Sequence, residues 1–282
     1  MVLATLLLTS MTIIVRYISD DLHPFQIAFC RNLFGLIMLT PLLLRYGLDP
    51  LKTKRIGFMA ARGVFNAVAM LTYFLALGLL PLSEVSALNF TVPLFVGILA
   101  VLFLGERLGP RRIASLAIGF SGALIILRPG LAIIDVGAFY ALLSAATWAI
   151  AVIIIKHLSR TDSSVTITMY GLFFLAIFTL PPALFVWKWP TGNQYLWLAT
   201  LALAGTAGQL LFAQSLKEAD ATLVMPFDFT KLIWASLFGF LVFSEIPTVW
   251  TIGGGVVIFA SASYLTYREG REAKPGHLIR PE

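Results

Sequence analysis

Residues 76–106, ALGLLPLSEVSALNFTVPLFVGILAVLFLGE, and residues 215–245, SLKEADATLVMPFDFTKLIWASLFGFLVFSE, are one pattern written twice. A shift of 139 positions carries Ala76–Leu127 onto Ser215–Thr266 without a gap, placing Glu106 on Glu245, Thr91 on Thr230, Phe90 on Phe229 and Phe120 on Phe259. In so apolar a chain a leucine matched to a leucine carries little weight. A glutamate falling on a glutamate at the end of a hydrophobic run carries more. Upstream, a shift of 140 places Ser19 on Ser159, Phe34 on Phe174, Pro41 on Pro181 and Arg16 on the like-charged Lys156. A duplicated set of apolar runs is the pattern of a polytopic secondary transporter whose two halves rock around a central site.

Composition agrees. With 59% hydrophobic residues, 12% charged and a mean hydropathy of +0.90, a chain of 282 residues could not cover itself with a water-compatible surface. Six stretches lack any charge over about the length that spans a bilayer: Gly63–Ser83, Val85–Gly105, Val136–Ile155, Ser163–Trp187, Tyr195–Leu216 and Pro247–Tyr267. Four more contain or abut a charge: Val2–Ile18, Pro24–Leu44, Arg112–Leu127 and Ala221–Phe243. The expectation is an all-α membrane protein of ten transmembrane helices in two five-helix repeats, residues 1–130 and 131–267. A charged tail, 268–282, is expected to lack regular structure. The first run has no basic leader and pairs with Val136–Ile155 in the repeat, so it is read as a helix of the mature protein rather than a cleaved signal. The lone cysteine, Cys30, excludes an internal disulfide and is read as a packing residue.

The net charge of +6 is a statement about topology rather than about nucleic acid. With ten spans, ten basic residues between Arg45 and Lys217 fall in loops on one side and four more in the tail, against Arg16, Arg128 and Lys188 on the other. The positive-inside rule then puts both termini in the cytoplasm of a multi-pass inner-membrane protein. Five helices is an odd number, so the second repeat enters from the opposite face and the repeats are inverted.

Ionisable groups inside apolar runs are the first candidates for a site. Arg31 lies roughly 10 Å into the second helix at 1.5 Å per residue, as a donor to an anionic group of the solute or as a structural arginine. Asp228 and Lys231, three apart in the ninth run, share a helix face in the favourable acid-before-base order. Asn89 is the repeat counterpart of Asp228. Tyr73, Trp148, Tyr170, Gln209 and Trp234 offer stacking and polar contacts for a flat or amphipathic solute. Pro93 and Pro226 interrupt the fourth and ninth helices and free carbonyls one turn earlier, while Glu106 and Glu245 end those helices as boundary or gate elements. Arg62, about two turns from a helix end, is expected to snorkel to the cytoplasmic surface, and Glu84 to serve as a helix N-terminal acid. Small residues at every fourth position, Ser115, Gly119 and Ala123 and again Ala141, Ala145 and Ala149, are expected to permit close helix contact. No phosphate loop, HExxH or Cys/His cluster occurs, so no enzyme activity, metal or cofactor is expected; the partners are a small-molecule solute and the bilayer.

The chain resembles the drug/metabolite transporter superfamily, in particular proteins with two EamA-type domains. The resemblance is carried by Leu104-Gly105-Glu106-Arg107-Leu108 followed by Gly119 and Gly122, and by a second copy at Phe243-Ser244-Glu245-Ile246 followed by Gly253–Gly255. The basic residues closing helices one and six belong to it too, as do Arg31 in the second helix and Trp148 in the sixth. It implies ten helices, cytoplasmic termini and passage of small metabolites, often amino acids or related carboxylates, commonly outward. Asp228–Lys231 with Trp234 resemble a bacterial subgroup that includes uptake systems for S-adenosylmethionine-like or riboflavin-like solutes. The chain departs from the family in having almost no residues, and no tryptophan, ahead of the first run, so the natural start is expected further upstream. A lipid flippase and a non-transport membrane scaffold are the competing readings.

Overall fold

A computed structural model describes residues 1–46, 53–89, 91–104, 110–127, 136–219, 221–224, 227–228, 230–244, 246 and 248–272. Among them there is no strand. The helices are α1 Val2–Ile18, α2 Pro24–Tyr46, α3 Ile56–Leu79, α4 Leu82–Asn89, α5 Val92–Leu99, α6 Pro110–Leu127, α7 Val136–Ser159, α8 Ser164–Phe185, α9 Gly192–Glu218, α10 Ala221–Val224, α11 Thr230–Phe243 and α12 Val249–Glu272. A π-helical turn, Ala100–Leu104, continues α5. Counting α4–α5 and α10–α11 each as one interrupted helix, the described residues form ten. Of these α3, α7, α8 and α9 are long and apolar enough to cross a membrane by length and composition, and α1, α5, α11 and α12 supply shorter apolar segments.

Local chemistry sets the boundaries. α3 stops where Leu80, ahead of Pro81, is driven into extended backbone (φ −125°, ψ 154°). The Ser163 side chain caps α8 by accepting from the Thr166 N–H at 3.0 Å. Thr191 and Gln194 close a capping box on α9, the Thr191 N–H donating to Gln194 Oε1 at 2.8 Å. Between α4 and α5 the Thr91 hydroxyl donates to the Leu88 carbonyl at 2.8 Å, and Pro93 falls in the first turn of α5, where a missing N–H costs nothing. The proline thus restarts a helix instead of kinking a continuous one. At the far end of α11 the chain turns through Ser244 at φ 54°, whose N–H donates to the Phe240 carbonyl at 3.1 Å.

Packing follows the repeat. The principal pairings are α3 with α7, α1 with α9, α2 with α8 and α6 with α12, followed by α3 with α8, α2 with α9, α5 with α7 and α1 with α11. Replacing each helix by its counterpart five spans away returns the same set. In lipid this association comes from close packing and interhelical hydrogen bonds rather than from water exclusion. The alanine stripe of α7 fulfils its expectation, since Ala141, Ala145 and Ala149 are wholly buried, and Ser144 Oγ between them donates to the Ala69 carbonyl of α3 at 2.8 Å. Gly119 does not fulfil its own: a Cβ there would meet nothing within 4 Å, so close packing does not require glycine at that position. One further expectation changes: α12 continues through Arg268 to Glu272, whereas α3 begins at Ile56 and holds Arg62 about two turns inside it, as expected.

Candidate functional site

Helices α1, α3, α7 and α9 and both helix interruptions enclose a cavity of about 790 Å³, its open mouth included. α1 contributes Leu8, Thr9, Met11 and Thr12, and α3 contributes Asn66, Ala69, Met70, Tyr73 and Phe74. Ser144 and Trp148 come from α7 and Gln209 from α9, while the interruptions bring Asn89, Asp228 and Lys231. Positions equivalent in the repeat face the same space: Met70 and Gln209, Leu8 and Trp148, Asn89 and Asp228.

The electrostatic centre is the Asp228–Lys231 pair, with Nζ 2.7 Å from Oδ1. Asp228 stands in a 3-10 turn between α10 and α11 and its side chain is 5% exposed, whereas Lys231, in the first turn of α11, is 25% exposed to the cavity. The broken helix therefore offers both charges from one turn of backbone. Thr230, between them, places its hydroxyl 2.6 Å from that of Thr5 on α1, so the turn is tied to a neighbouring helix. Tyr73 and Thr12 line the same cavity as Asp228. Trp148 packs on Phe212 with ring centroids 5.6 Å apart. Around this pair the wall keeps polar capacity in reserve: Asn66 Nδ2 and Gln209 Oε1 are buried without a hydrogen-bond partner. The Thr9 and Thr12 hydroxyls donate back into α1, to Thr5 at 2.8 Å and Thr9 at 2.7 Å, which leaves their oxygen lone pairs for a ligand.

Six of the nine binding residues expected from sequence line this cavity: Tyr73, Asn89, Trp148, Gln209, Asp228 and Lys231. Arg31, Tyr170 and Trp234 do not. Tyr170 stacks against Phe174 at 6.3 Å. Trp234 buries an Nε1 that lacks a partner. Arg31 has no exposed surface; it packs over Gly205 beside Met11, and of the two only Met11 lines the cavity. Arg62 is only 2% exposed and donates to the Ile167 carbonyl over Gly171, so it does not snorkel. Glu84 lies in the first turn of α4. Glu106, Glu245 and Pro226 lie outside the described residues. The α1 wall was missed, though Thr5, Thr9 and Thr12 at helical spacing mark a polar stripe in an otherwise greasy run. Among the described residues no group of three His, Cys, Asp or Glu gathers to hold a metal.

The profile of the EamA-like transporter family matches residues 1–128 and again 135–267. An S-adenosylmethionine uptake transporter of Rickettsia bellii is 30% identical over 90% of this chain and 87% of its own. A riboflavin transporter of Rhizobium johnstonii is 32% identical over 98% and 92%, and a pseudopaline exporter of Pseudomonas aeruginosa 30% over 94% of each. A solved structure superposes with a TM-score of 0.70 at 18% identity, covering 96% of this chain and 99% of that one, which shows a shared fold.

Proposed function

The chain belongs to the EamA-like transporter family, a multi-pass membrane protein that carries small molecules, and on that premise we propose that it exchanges a zwitterionic, carboxylate-bearing metabolite across a bacterial inner membrane. The observation that carries the reading is the Asp228–Lys231 pair, set in a broken helix and opening onto a cavity walled by Tyr73, Phe74 and Trp148. An amino-acid head can insert between the two charges, its ammonium on Asp228 and its carboxylate on Lys231. A ring carried by the same solute then meets the aromatic wall and the spare amide groups of Asn66 and Gln209. S-adenosylmethionine is one molecule of that design, and simple amino acids fill the charged end alone. Relatives that work inward and outward both exist, so net direction is taken to follow the solute gradient.

The moving parts are residues 1–130 and 131–267, read as inverted halves. The repeat and the exchange-symmetric helix pairing support this, and so does the meeting of equivalent positions at one cavity. Both termini are assigned to the cytoplasm by the basic-residue asymmetry. The test is counterflow in proteoliposomes loaded with S-adenosylmethionine, amino acids or riboflavin. Trans-stimulated uptake of a zwitterion is expected, and none for any zwitterion would overturn the reading. Flat amide-edged walls favour a neutral flavin as a second reading. In that case riboflavin flux survives Asp228→Asn together with Lys231→Met.

A further inference from the structure

Behind the cavity, where α2, α3, α8 and α9 cross, two arginines are buried together with no carboxylate in contact with either among the described residues. Arg31 of α2 is 0% exposed; its Nη1 donates to Asn32 Oδ1 at 2.6 Å, and its Nε and Nη2 have no partner. Arg62 of α3 is 2% exposed; one nitrogen donates to the Ile167 carbonyl, and its Nε has no partner. The hydroxyls of Thr168 on α8 and Thr206 on α9 are buried and unpartnered as well. Arg31, Thr206 and Arg62 are linked through neighbouring glycine contacts, and Thr168 follows Ile167, the acceptor of Arg62, in the chain. The Arg31 guanidinium lies over Gly205, with Nε and Nη2 2.8 and 2.9 Å from where a Cβ would stand; the next residue, Thr206, presses on Gly35 of α2. Leu172 of α8 presses on Gly35 too, and its neighbour Gly171 is covered by the Arg62 guanidinium.

A fully buried cation without a counter-charge is strongly unfavourable, and a second of the same sign on a neighbouring helix adds to the cost. The helices nevertheless make room for both by placing glycines where the guanidiniums lie. We propose that Arg31 and Arg62, with the Thr168 and Thr206 hydroxyls, bind a small monovalent anion behind the cavity wall, either a free halide or a carboxylate of similar size. The unpaired N–H donors and two rotatable hydroxyls supply the ligand shell, and the anion's charge offsets half of the cluster's. The site shares a wall with the solute cavity: Asn66 follows Arg62 by one turn of α3, and Asn32 Nδ2 reaches the Met70 sulfur at 3.4 Å. Occupancy would then set how the α2–α9 and α3–α8 crossings sit, and these join the two halves.

The inference does not rest on the choice of solute, and its test needs no transport. Chloride-36 binding is measured on the full chain in lipid nanodiscs without organic solute, alongside thermal unfolding in chloride, acetate or gluconate at constant ionic strength. Saturable binding of one chloride per chain, displaced by bromide, assigns the source as free halide. Stabilisation by acetate without chloride binding assigns it as a carboxylate. Thr206→Val keeps the shape and removes one hydrogen bond to the charge, so it should weaken binding roughly 10-fold or more. Arg31→Gln should abolish it. Absence of both effects, or binding unchanged in Thr206→Val and in a folded Arg31→Gln protein, overturns the proposal, whether or not the protein transports.

Discussion

Asp228 and Lys231 stand 2.7 Å apart with the carboxylate almost wholly enclosed, so each charge is tolerated there because of the other. Removing one leaves the other uncompensated. Asp228→Asn or Lys231→Met alone should cost about 1–3 kcal/mol of stability, less than for a fully enclosed pair because Lys231 is partly exposed. The double variant should recover most of that in thermal unfolding while remaining inactive in counterflow. Wild-type flux by the double variant would reduce the pair to a structural bond. The spare polar atoms of the wall make the opposite trade. Asn66 Nδ2 and Gln209 Oε1 are buried and unpaired, so Asn66→Leu and Gln209→Met should leave the melting temperature unchanged or raise it. Solute affinity should fall by roughly 10- to 100-fold in each, because the ligand then loses its partner. A melting point several degrees lower with affinity intact would show that these amides hold helices together instead of waiting for solute.

Among the elements, α9 shows how a charge at a helix end serves packing. Lys156, closing α7, sends its ammonium to the carbonyls of Leu216 and Ala219 at 3.2 and 2.8 Å, where α9 runs out of intrahelical donors. Lys156→Met should cost about 1–3 kcal/mol, read as a lower melting temperature with substrate affinity unchanged. Loss of affinity at full stability would place Lys156 in the solute path. That lysine was legible in the sequence through its alignment with Arg16, which instead lies 4.7 Å from the Phe243 ring. Helix number was legible as well, since a bilayer imposes length and apolarity on each span, and Pro93 and Pro226 marked the two interrupted helices in the sequence. The depth of a single charge was not. Arg62 near a helix end looks free to reach water, and only the arrival of Gly171 and the Ile167 carbonyl from another helix closes it in. The α1 wall escaped for a related reason: threonines that bond their own helix read as neutral in an apolar run until a cavity is seen beside them.

For the whole molecule the basic-residue asymmetry and the position of its carboxyl groups make separate claims. Reporter fusions after residues 108, 160 and 218 should read cytoplasmic, and fusions near 80, 190 and 246 external; one firm reversal in mid-chain would remove the inverted relation of the halves. Coupling depends on what can carry a proton through the closed protein. Among the described cavity-lining residues Asp228 is the single carboxyl, and it is held by Lys231. Lys231 in turn is balanced by Asp228, in a protein that buries two further cations, Arg31 and Arg62. A solute that brings both charges satisfies Asp228 and Lys231 together, with no proton needed to balance either. Exchange of a zwitterion should accordingly run at nearly equal rates with and without an imposed pH gradient, and Asp228→Asn should abolish both. Accumulation that follows the proton gradient, and disappears in Asp228→Asn while gradient-free exchange survives, would instead make Asp228 the proton carrier and Lys231 its resting partner.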